Sequence, residues 1–232
     1  RRVTTADGTV YGAYAVLLAL GSTYRRLGIP GEEDFIGAGV HFCATCDGPF
    51  YRGEHVAVIG GGNSAGEEGL FLTKFARQVT IITRDPALMA SKVVVTKIGE
   101  QPGMDVITGT LPVAFRGNGH LRAVTVENLS SGAQRELEVA AAFVFIGLSP
   151  NTAIVDGLVD LDPQGFVTTD SGLMTSAPGI FAAGDCRAGS TKQAASAAGE
   201  GAAAAIAIRR YVEPLAGGMP EPREPVVAAR MM

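Results

Sequence analysis

The stretch VAVIGGGNSAGEEGLFLTKFA, residues 56–76, joins a β-branched run, a glycine-rich turn and an amphipathic segment. Its first four residues have the composition of a buried strand, and Leu70, Phe71 and Phe75 would share one face of a helix. A second apolar run, from Val79 to Ile82, follows closely. Strand, turn, helix and strand in this order predict a βαβ unit with a right-handed crossover, and therefore an α/β fold.

The turn supplies Gly60, Gly62 and Ala65 in a G-x-G-x-x-A pattern. The first glycine permits a tight turn, the second lets a pyrophosphate approach the backbone, and the alanine lets helix and strand pack closely. Free N–H groups at the helix start would then bind the phosphates. The position between a strand and a helix favours dinucleotide binding, and a plain tight turn is the alternative.

The kind of dinucleotide depends on the end of the second strand. An acidic residue there would bind a ribose 2′-hydroxyl and favour NADH. Thr83 stands there instead, followed by Arg84, which can pair with a 2′-phosphate, and by Asp85, which offsets part of that attraction. We therefore expect NADPH, with NADH as the alternative. A solvated loop charge is the simpler interpretation of Arg84.

Composition narrows the class of protein. The chain has 232 residues, of which 47% are hydrophobic and 18% charged, and a net charge of −4, values typical of a globular protein. No basic stripe indicates a nucleic-acid partner. The apolar runs are too short to cross a bilayer, and the start has no signal-peptide pattern. Three cysteines do not make a secreted disulfide framework, so we expect a cytoplasmic protein.

Two of the cysteines stand in HFCATCDGPF, residues 41–50, as Cys43 and Cys46 with Asp47 behind them. Zinc requires four ligands and the chain has no second C-x-x-C, so we expect no metal. A structural disulfide across so short a loop would stabilise little. The pattern favours a redox pair whose thiols exchange protons with Asp47, for which turn capping is the alternative. We interpret Cys186 as an incidental buried cysteine.

A redox pair and a nicotinamide site together raise a question of electron transfer. NADPH gives a hydride, which carries two electrons at once, and a flavin is the usual relay from a hydride to a disulfide. The two sites together therefore raise the question of a flavin site elsewhere in the chain.

The remaining chain divides at Pro150. Residues 104–146 alternate in three or four short runs, with turn signals at RGNGH (116–120) and LSSGAQ (129–134) and a buried strand at FVFIG (143–147). Beyond them, GFVTTD and GIFAAGD are predicted as short strands, and residues 191–211 as a helix of small residues.

The motifs CATCDG, GGGNSA, GLSPNT, GIFAAGD and AAGEGAAAA occur in the order found in bacterial low-molecular-weight thioredoxin reductases, and residues 1 to about 212 resemble that family. The resemblance implies an α/β protein with Rossmann-like three-layer FAD- and NAD(P)-binding domains. It also implies a homodimer in which hydride passes from NADPH to FAD, then to the Cys43–Cys46 disulfide, and on to thioredoxin or a similar dithiol protein. Cys46 would face the flavin, Cys43 would attack the partner, and Asp47 would be the acid–base residue.

The resemblance also assigns cofactor contacts. For the nicotinamide cofactor these are Gly60, Gly62, Asn63, Ser64, Ala65, Glu67, Arg84, Ile146 and Gly147. For FAD they are Gly184, Asp185 and a helix start at Lys192, Gln193 and Ala194. The N–H groups of that helix start would stabilise negative charge on a reduced flavin.

The implied layout is nested. An NADPH domain at 27–150, which also carries the cysteine pair, is inserted into an FAD domain made of 1–26 and 151–212. Hinges are expected near Gly28–Gly31 and Ser149–Thr152, and a mobile tail at 213–232.

The sequence departs from the family pattern in three places. The N-terminal βαβ unit that carries the family's FAD turn does not occur, so we expect that the chain belongs to a longer protein whose FAD domain is truncated here. The family's His-Arg-Arg run is Thr83-Arg84-Asp85, with Met89 at a distal basic position, which weakens the case for strict NADPH use and for thioredoxin. Gly66 and Gly69 lie inside the helix after the glycine turn and would each cost about 1 kcal/mol.

Four functions remain open on the sequence. The first is the flavin-dependent NADPH–disulfide reductase, and the second is the reductase component of a peroxide-reducing system. The third is a dithiol oxidase, which the intact GGGNSA motif disfavours. The fourth is a nucleotide-binding or redox-sensing module without turnover of its own.

Overall fold

The computed structural model describes residues 1–216, which fall into two compact units. The first unit consists of Arg1–Thr23 together with the chain from Leu148 onward, and the second is Tyr24–Gly147. The chain therefore crosses between the two units three residues before each domain boundary that the sequence predicts.

The described residues contain fourteen strands and five α-helices. The strands are β1 (Arg2–Thr4), β2 (Val10–Gly12), β3 (Val16–Leu18), β4 (Ser22–Tyr24), β5 (Val40–His41), β6 (His55–Ile59), β7 (Gln78–Ile82), β8 (Met104–Ile107), β9 (Thr110–Asn118), β10 (His120–Asn128), β11 (Gln134–Glu138), β12 (Ala141–Val144), β13 (Leu148–Pro150) and β14 (Ile180–Ala182). The helices are α1 (Glu32–Phe35), α2 (Ala44–Asp47), α3 (Asn63–Leu72), α4 (Lys92–Glu100) and α5 (Ala194–Ala216). Three short 3-10 helices are Gly48–Tyr51, Ala153–Val155 and Gly184–Cys186.

A five-stranded parallel sheet organises the second unit, in the order β5-β12-β6-β7-β8. Successive side chains of a strand point to opposite faces, and β6 shows this clearly. Val56 and Val58 pack with α3 and α4, whereas Ala57 and Ile59 pack with residues of β9 and β10. Because both faces are covered, the central strands β12 and β6 are apolar except for His55 at the start of β6.

Strands β9, β10 and β11 form an antiparallel sheet that makes the third layer of this unit. The hairpin between β9 and β10 turns at Gly119, and the next turn follows Asn128, as the turn signals predict. The Asn128 Oδ1 accepts hydrogen bonds from the backbone N–H groups of Ser130 and Ser131, which fixes that second turn.

The first unit is built from pairs of short strands. The chain starts with the hairpin β1–β2, and β3 after it pairs in parallel with β14. β4 pairs with β13. A small apolar cluster, which includes Leu18, Val155 and Ile180, lies beside β3 and β14.

The predicted α/β fold class, with Rossmann-like layers around a parallel sheet, is confirmed. The prediction of a strand at GFVTTD is wrong, because Val167 makes only isolated bridges to Leu161 and Arg187. α4 was not predicted. The predicted tail at 213–232 lies mostly outside the described residues, and its first part continues α5 to Ala216. Within residues 1–216, no helix has the length and apolarity that a membrane crossing requires.

Candidate active site

The two neighbouring cysteines are joined in a disulfide, with 5.3 Å between their Cα atoms. Cys43 follows β5 and caps α2, where its Sγ accepts a hydrogen bond from the Cys46 N–H at 3.1 Å. Cys46 is exposed and Cys43 is half-buried, whereas Ala44 between them anchors the short helix in the core. A disulfide held on one turn of helix at the surface can open and close with little movement of the backbone.

Asp47 ends this turn of helix and faces a buried histidine. The Nδ1 atom of His41 lies 3.4 Å from the Oδ2 atom of Asp47. The Nε2 atom of the same ring lies 2.6 Å from the hydroxyl of Tyr51. The side chain of Asp47 retains 31% of its exposure and that of His41 only 8%. The three side chains therefore form a line from the surface disulfide into the protein.

Burial is the main cause of the pKa shifts of His41 and Tyr51. It lowers the pKa of His41 and outweighs the opposing attraction of the Asp47 carboxylate. Burial, and after it the negative charge of Asp47, raises the pKa of Tyr51. At neutral pH the imidazole is therefore uncharged and the phenol keeps its proton.

The order of elements explains how these residues meet. His41 is the last residue of β5, so that its neighbours along the chain lead directly into the disulfide. The 3-10 helix Gly48–Tyr51 then returns the chain so that Tyr51 reaches the same ring. Phe143 on the adjacent β12 packs at 5.4 Å from the His41 ring and at 5.9 Å, edge-on, from the Tyr51 ring.

The glycine turn has the shape that the sequence predicts. Gly60 has a φ of +144°, and a Cβ atom there would lie 2.4 Å from the Phe145 carbonyl oxygen. Gly62 immediately precedes α3, and a Cβ atom there would meet nothing within 4 Å. The first glycine is thus required by the fold, whereas the second leaves open space in front of the helix N-terminus. Ala65 is fully buried beneath it.

Three other predicted nucleotide contacts lie near this turn. Asn63 uses its side-chain oxygen to accept a 2.7 Å hydrogen bond from the Ser91 N–H, and the Met89 N–H donates to the Gly61 carbonyl at 2.7 Å. Ser64 and Glu67 are exposed on the first turns of α3. Asn63 therefore anchors the loop after β7 to the glycine turn.

Arg84 lies in that loop and is 75% exposed. Its Nε atom is 4.0 Å from Asp85, a distance that leaves the guanidinium available to an anion. Ile146 packs against the apolar core of the second unit, and the Gly147 carbonyl accepts a 3.1 Å hydrogen bond from the Arg25 N–H.

The predicted FAD residues lie in the first unit, around the 3-10 helix Gly184–Cys186. The Glu200 carboxylate accepts hydrogen bonds from the Gly184 N–H at 2.8 Å and from Arg187 at 2.7 and 3.1 Å. Arg187, and after it the Gly184 N–H, holds the pKa of Glu200 below its ordinary value of 4.5. The Lys192 ammonium donates to the carbonyls of Asp185 and Arg187, both at 2.8 Å, and α5 begins at Ala194, directly after Gln193.

One atom in this unit supports a polar ligand. The Oδ1 atom of Asp185 is buried and has no hydrogen-bond partner within the described part of the chain. Buried polar atoms are almost always paired, so this oxygen fits a donor from a bound molecule. A flavin cofactor provides such donors in the hydroxyl groups of its ribityl chain, and the residues present therefore fit FAD.

The structure thus separates the predicted site residues into two groups. The cysteines, Asp47 and the nucleotide turn share the second unit, whereas Gly184, Asp185 and residues 192–194 lie in the first. Sequence analysis missed His41 and Tyr51 as neighbours of Asp47, and Glu200 as the anchor of Gly184. Proximity to the C-x-x-C motif was a signal for the first two, but thirteen residues separate Arg187 from Glu200 and nothing in the sequence links them. It also missed Phe50, which is 80% exposed and three residues after Asp47.

Comparison with known proteins shows the family of this chain. The pyridine nucleotide-disulphide oxidoreductase family matches residues 1–201. The chain is 42% identical to a thioredoxin reductase of Treponema pallidum over 92% of its own length and 69% of that protein. It is 43% identical to a bifunctional thioredoxin reductase/thioredoxin of Mycobacterium leprae, of which it spans 48%.

A solved structure agrees with these relatives. The crystal structure of thioredoxin reductase from Streptococcus pyogenes is 37% identical and superposes with a TM-score of 0.86, covering 92% of this chain and 70% of that one. The resemblance inferred from the motifs is confirmed, and so is the prediction of an oxidoreductase that acts on disulfides. The chain belongs to the pyridine nucleotide-disulphide oxidoreductase family, among the thioredoxin reductases.

Proposed function

We propose that this chain carries the catalytic disulfide, the NADPH site and part of the FAD site of an NADPH-dependent flavoprotein that reduces thioredoxin or a similar dithiol protein. The observation that carries the proposal is the closed Cys43–Cys46 disulfide at the surface of the unit that also holds the Gly60–Ala65 turn. Family membership favours this reductase over a nucleotide-binding module without turnover.

The proposed NADPH site lies in the second unit. The open space before Gly62 and the free N–H groups at the start of α3 receive the pyrophosphate. Arg84, exposed in the loop that Asn63 holds to the turn, pairs with the 2′-phosphate and favours NADPH over NADH. Glu67 and Ser64 lie at the start of the same helix. Ile146 and Gly147 would line the nicotinamide side, as the family resemblance implies.

The flavin end rests on the first unit. FAD, when bound, supplies the relay between a two-electron hydride donor and a disulfide. Asp185 would accept a hydrogen bond from a ribityl hydroxyl, Gly184 would let the cofactor approach the backbone, and Lys192 holds the turn by its two carbonyl contacts. Gln193 and Ala194 stand at the start of α5, whose N–H groups would favour a reduced, negatively charged ring.

The disulfide end performs thiol chemistry. Reduction of the Cys43–Cys46 bond yields two thiols, and the Cys43 thiolate then attacks the disulfide of the partner protein. Cys46 attacks the resulting mixed disulfide, which releases the reduced partner and restores the bond. Asp47 accepts a proton from an attacking thiol and returns it to a leaving thiolate.

The partner surface includes Phe50. An aromatic side chain that is 80% exposed beside a reactive disulfide is typical of a protein-contact site. A homodimer in the cytoplasm completes the proposal, since the thiols of cytoplasmic proteins are kept reduced by enzymes of this kind.

The test uses the longer protein that the sequence predicts to contain this chain, purified and supplied with FAD. A yellow protein whose absorbance near 450 nm bleaches on addition of NADPH is expected, with turnover of a disulfide dye that rises when thioredoxin is present. Cys43→Ser and Cys46→Ser should each abolish disulfide turnover, whereas Cys186→Ser, the matched control, removes a buried thiol that is not in the disulfide. Full turnover in either redox-pair variant would contradict the proposal.

A further inference from the structure

The line Asp47–His41–Tyr51 contains two side chains that the proposed function does not use. A histidine that retains 8% of its exposure is costly to bury unless its ring nitrogens have partners, and here both do. One partner is the residue proposed for acid–base chemistry at the disulfide. The other is a phenol on the opposite side of the ring.

The contacts define the tautomer of the ring. The Nδ1 atom faces a carboxylate oxygen, which only accepts hydrogen bonds, so the imidazole proton belongs on Nδ1. The Nε2 atom, left with a lone pair, accepts the hydroxyl proton of Tyr51 at 2.6 Å. A single neutral tautomer therefore satisfies both contacts, and it agrees with the lowered pKa of His41.

Packing fixes the orientation of the ring. His41 lies against Phe143 on β12, with α2 on one side and the 3-10 helix that carries Tyr51 on the other. Among the described residues, Asp47 is the charged group that acts on this imidazole and Tyr51 is the titratable group bonded to it.

The inner end of the line has access to water. Tyr51 is half-buried and is one of the residues that line an open cavity of about 550 Å³. The other lining residues include the polar side chains of Glu54, His55, Arg77, Arg122 and Glu138.

We propose that His41 is a positioning residue for Asp47 and that, together with Tyr51, it delivers the proton that Asp47 gives to a leaving thiolate. This inference rests on the proposed function, since it presupposes that Asp47 acts on the thiols. It assigns a role to residues outside the C-x-x-C-D motif.

The step balances as follows. An attacking thiolate forms a new S–S bond to one sulfur of the pair, and the old bond breaks with its electrons on the other sulfur. The Asp47 carboxylate takes the Nδ1 proton of His41 while Nε2 takes the hydroxyl proton of Tyr51, and Asp47 passes the proton it has gained to that thiolate. Water in the cavity conducts a proton from solvent to the Tyr51 oxygen, and the reverse transfer on reoxidation of the pair restores the Nδ1 tautomer. The exchange consumes no oxidant or reductant beyond the two thiol partners.

The experiment measures thiol–disulfide exchange in the full chain without any cofactor. Dithiothreitol reduces the Cys43–Cys46 disulfide of wild type, His41→Asn and Tyr51→Phe between pH 5.5 and 8.5, and each variant rate is divided by the wild-type rate at the same pH. Because the reagent titrates identically in both samples, its own pH dependence cancels in this ratio. Tyr211→Phe is the matched control, because Tyr211 is also a half-buried tyrosine packed edge-on against a phenylalanine, Phe181 at 5.8 Å, but lies in the first unit.

The expected ratio for His41→Asn is near one at pH 5.5, where protons from water are abundant, and falls about tenfold by pH 8, a modest share of a typical acid–base effect. Tyr51→Phe keeps the ring volume and should show the same trend at about threefold, so it remains informative if His41→Asn unfolds. Tyr211→Phe should give a flat ratio.

Flat ratios for both His41→Asn and Tyr51→Phe would overturn the inference. Asp47→Asn separates this result from a failure of the proposed function. If Asp47→Asn alters the pH profile and the two inner variants do not, only the relay is wrong. If Asp47→Asn also leaves the profile unchanged, the proposed acid–base role of Asp47 falls with it.

Discussion

The two units of this chain are stabilised by different means. The second unit buries a five-stranded parallel sheet on both faces, between two clusters of twelve apolar residues each. The first unit has one described cluster of six, and its paired strands are three residues long. Two-stranded pairs of this length contribute little stability by themselves, so the first unit depends more on the polar contacts around Glu200.

The difference extends to the candidate sites. In the second unit the disulfide and the glycine turn follow directly from the ends of strands in a rigid sheet. In the first unit the half-buried Arg187–Glu200 ion pair and a lysine hold the turn at Gly184. Apolar burial therefore positions one site and charged side chains position the other, and the two should respond differently to mutation and to pH.

The largest expected effect comes from truncating the same residue type in each core. Ile81→Ala removes a fully buried side chain from the middle of β7 and should lower the free energy of unfolding of the second unit by about 4 kcal/mol. Ile180→Ala in β14 should cost about 2 kcal/mol, since the smaller cluster around it leaves a less confined cavity. Hydrogen exchange followed by mass spectrometry assigns each loss to its unit.

Equal losses in the two variants would contradict the comparison. So would a loss of protection that spreads equally over both units in Ile81→Ala, because the two cores would then behave as one cooperative structure.

The next pair of variants separates the contribution of the glycine turn to folding from its contribution to nucleotide binding. Gly60→Ala places a Cβ atom 2.4 Å from the Phe145 carbonyl oxygen at a φ of +144°, and should cost about 3 kcal/mol of stability. Gly62→Ala meets nothing within 4 Å and should leave stability unchanged. It should nevertheless weaken NADPH binding about tenfold or more, because its methyl group occupies the approach of the pyrophosphate.

Thermal unfolding and NADPH titration of the two variants check this pair. Normal NADPH affinity in Gly62→Ala would show that the open space before α3 is not where the pyrophosphate binds.

How far the sequence predicts the structure also differs between the units. In the second unit, periodicity and turn signals locate β6, β7 and both hairpin turns, because strand and turn preferences agree with the final packing. The sequence predicts only a stability cost for the glycine at position 66. The structure shows that a larger residue would not fit, because a Cβ atom there would lie 2.5 Å from Val94 on α4. The glycine is a requirement of helix packing, and no pattern in one sequence reveals that contact.

In the first unit, local patterns predict less. The stretch GFVTTD has the alternation of a strand, yet only Val167 makes bridges, because its partners Leu161 and Arg187 are single residues in loops. The Arg187–Glu200 pair joins a turn to a helix and has no local signal. The disulfide and Asp47 were predictable from spacing, whereas His41 and Tyr51 join them only through the fold.

A smaller effect is expected from the charges of the first unit. Glu200→Gln removes a carboxylate that accepts three hydrogen bonds and should destabilise the turn at Gly184 by about 2 kcal/mol. Glu213→Gln is the matched control on the same helix, because Glu213 pairs with Arg209 at the same 2.7 Å but is exposed. That variant should change stability by less than about 0.5 kcal/mol.

The same carboxylate gives a pH dependence with a defined sign. The pKa of Glu200 is lower in the folded chain than its ordinary value of 4.5, so its contribution is complete above that value and is lost as the pH falls below it. Hydrogen exchange at Gly184–Cys186 should therefore accelerate, relative to that of β6 and β7, when the pH is lowered from 6 to 3. In Glu200→Gln this additional acceleration should disappear.

The smallest expected effect concerns Arg84, an exposed charged residue of the second unit that does not belong to its apolar core. Arg84→Ala should weaken NADPH binding about tenfold and leave NADH binding unchanged, since only the 2′-phosphate engages the guanidinium. Asp85→Asn removes the opposing charge 4.0 Å away and should strengthen NADPH binding severalfold. Both effects should shrink as salt is raised, because the guanidinium is 75% exposed and its attraction is screened. Parallel losses of NADPH and NADH binding in Arg84→Ala would instead mean that the arginine supports the loop and does not select the cofactor.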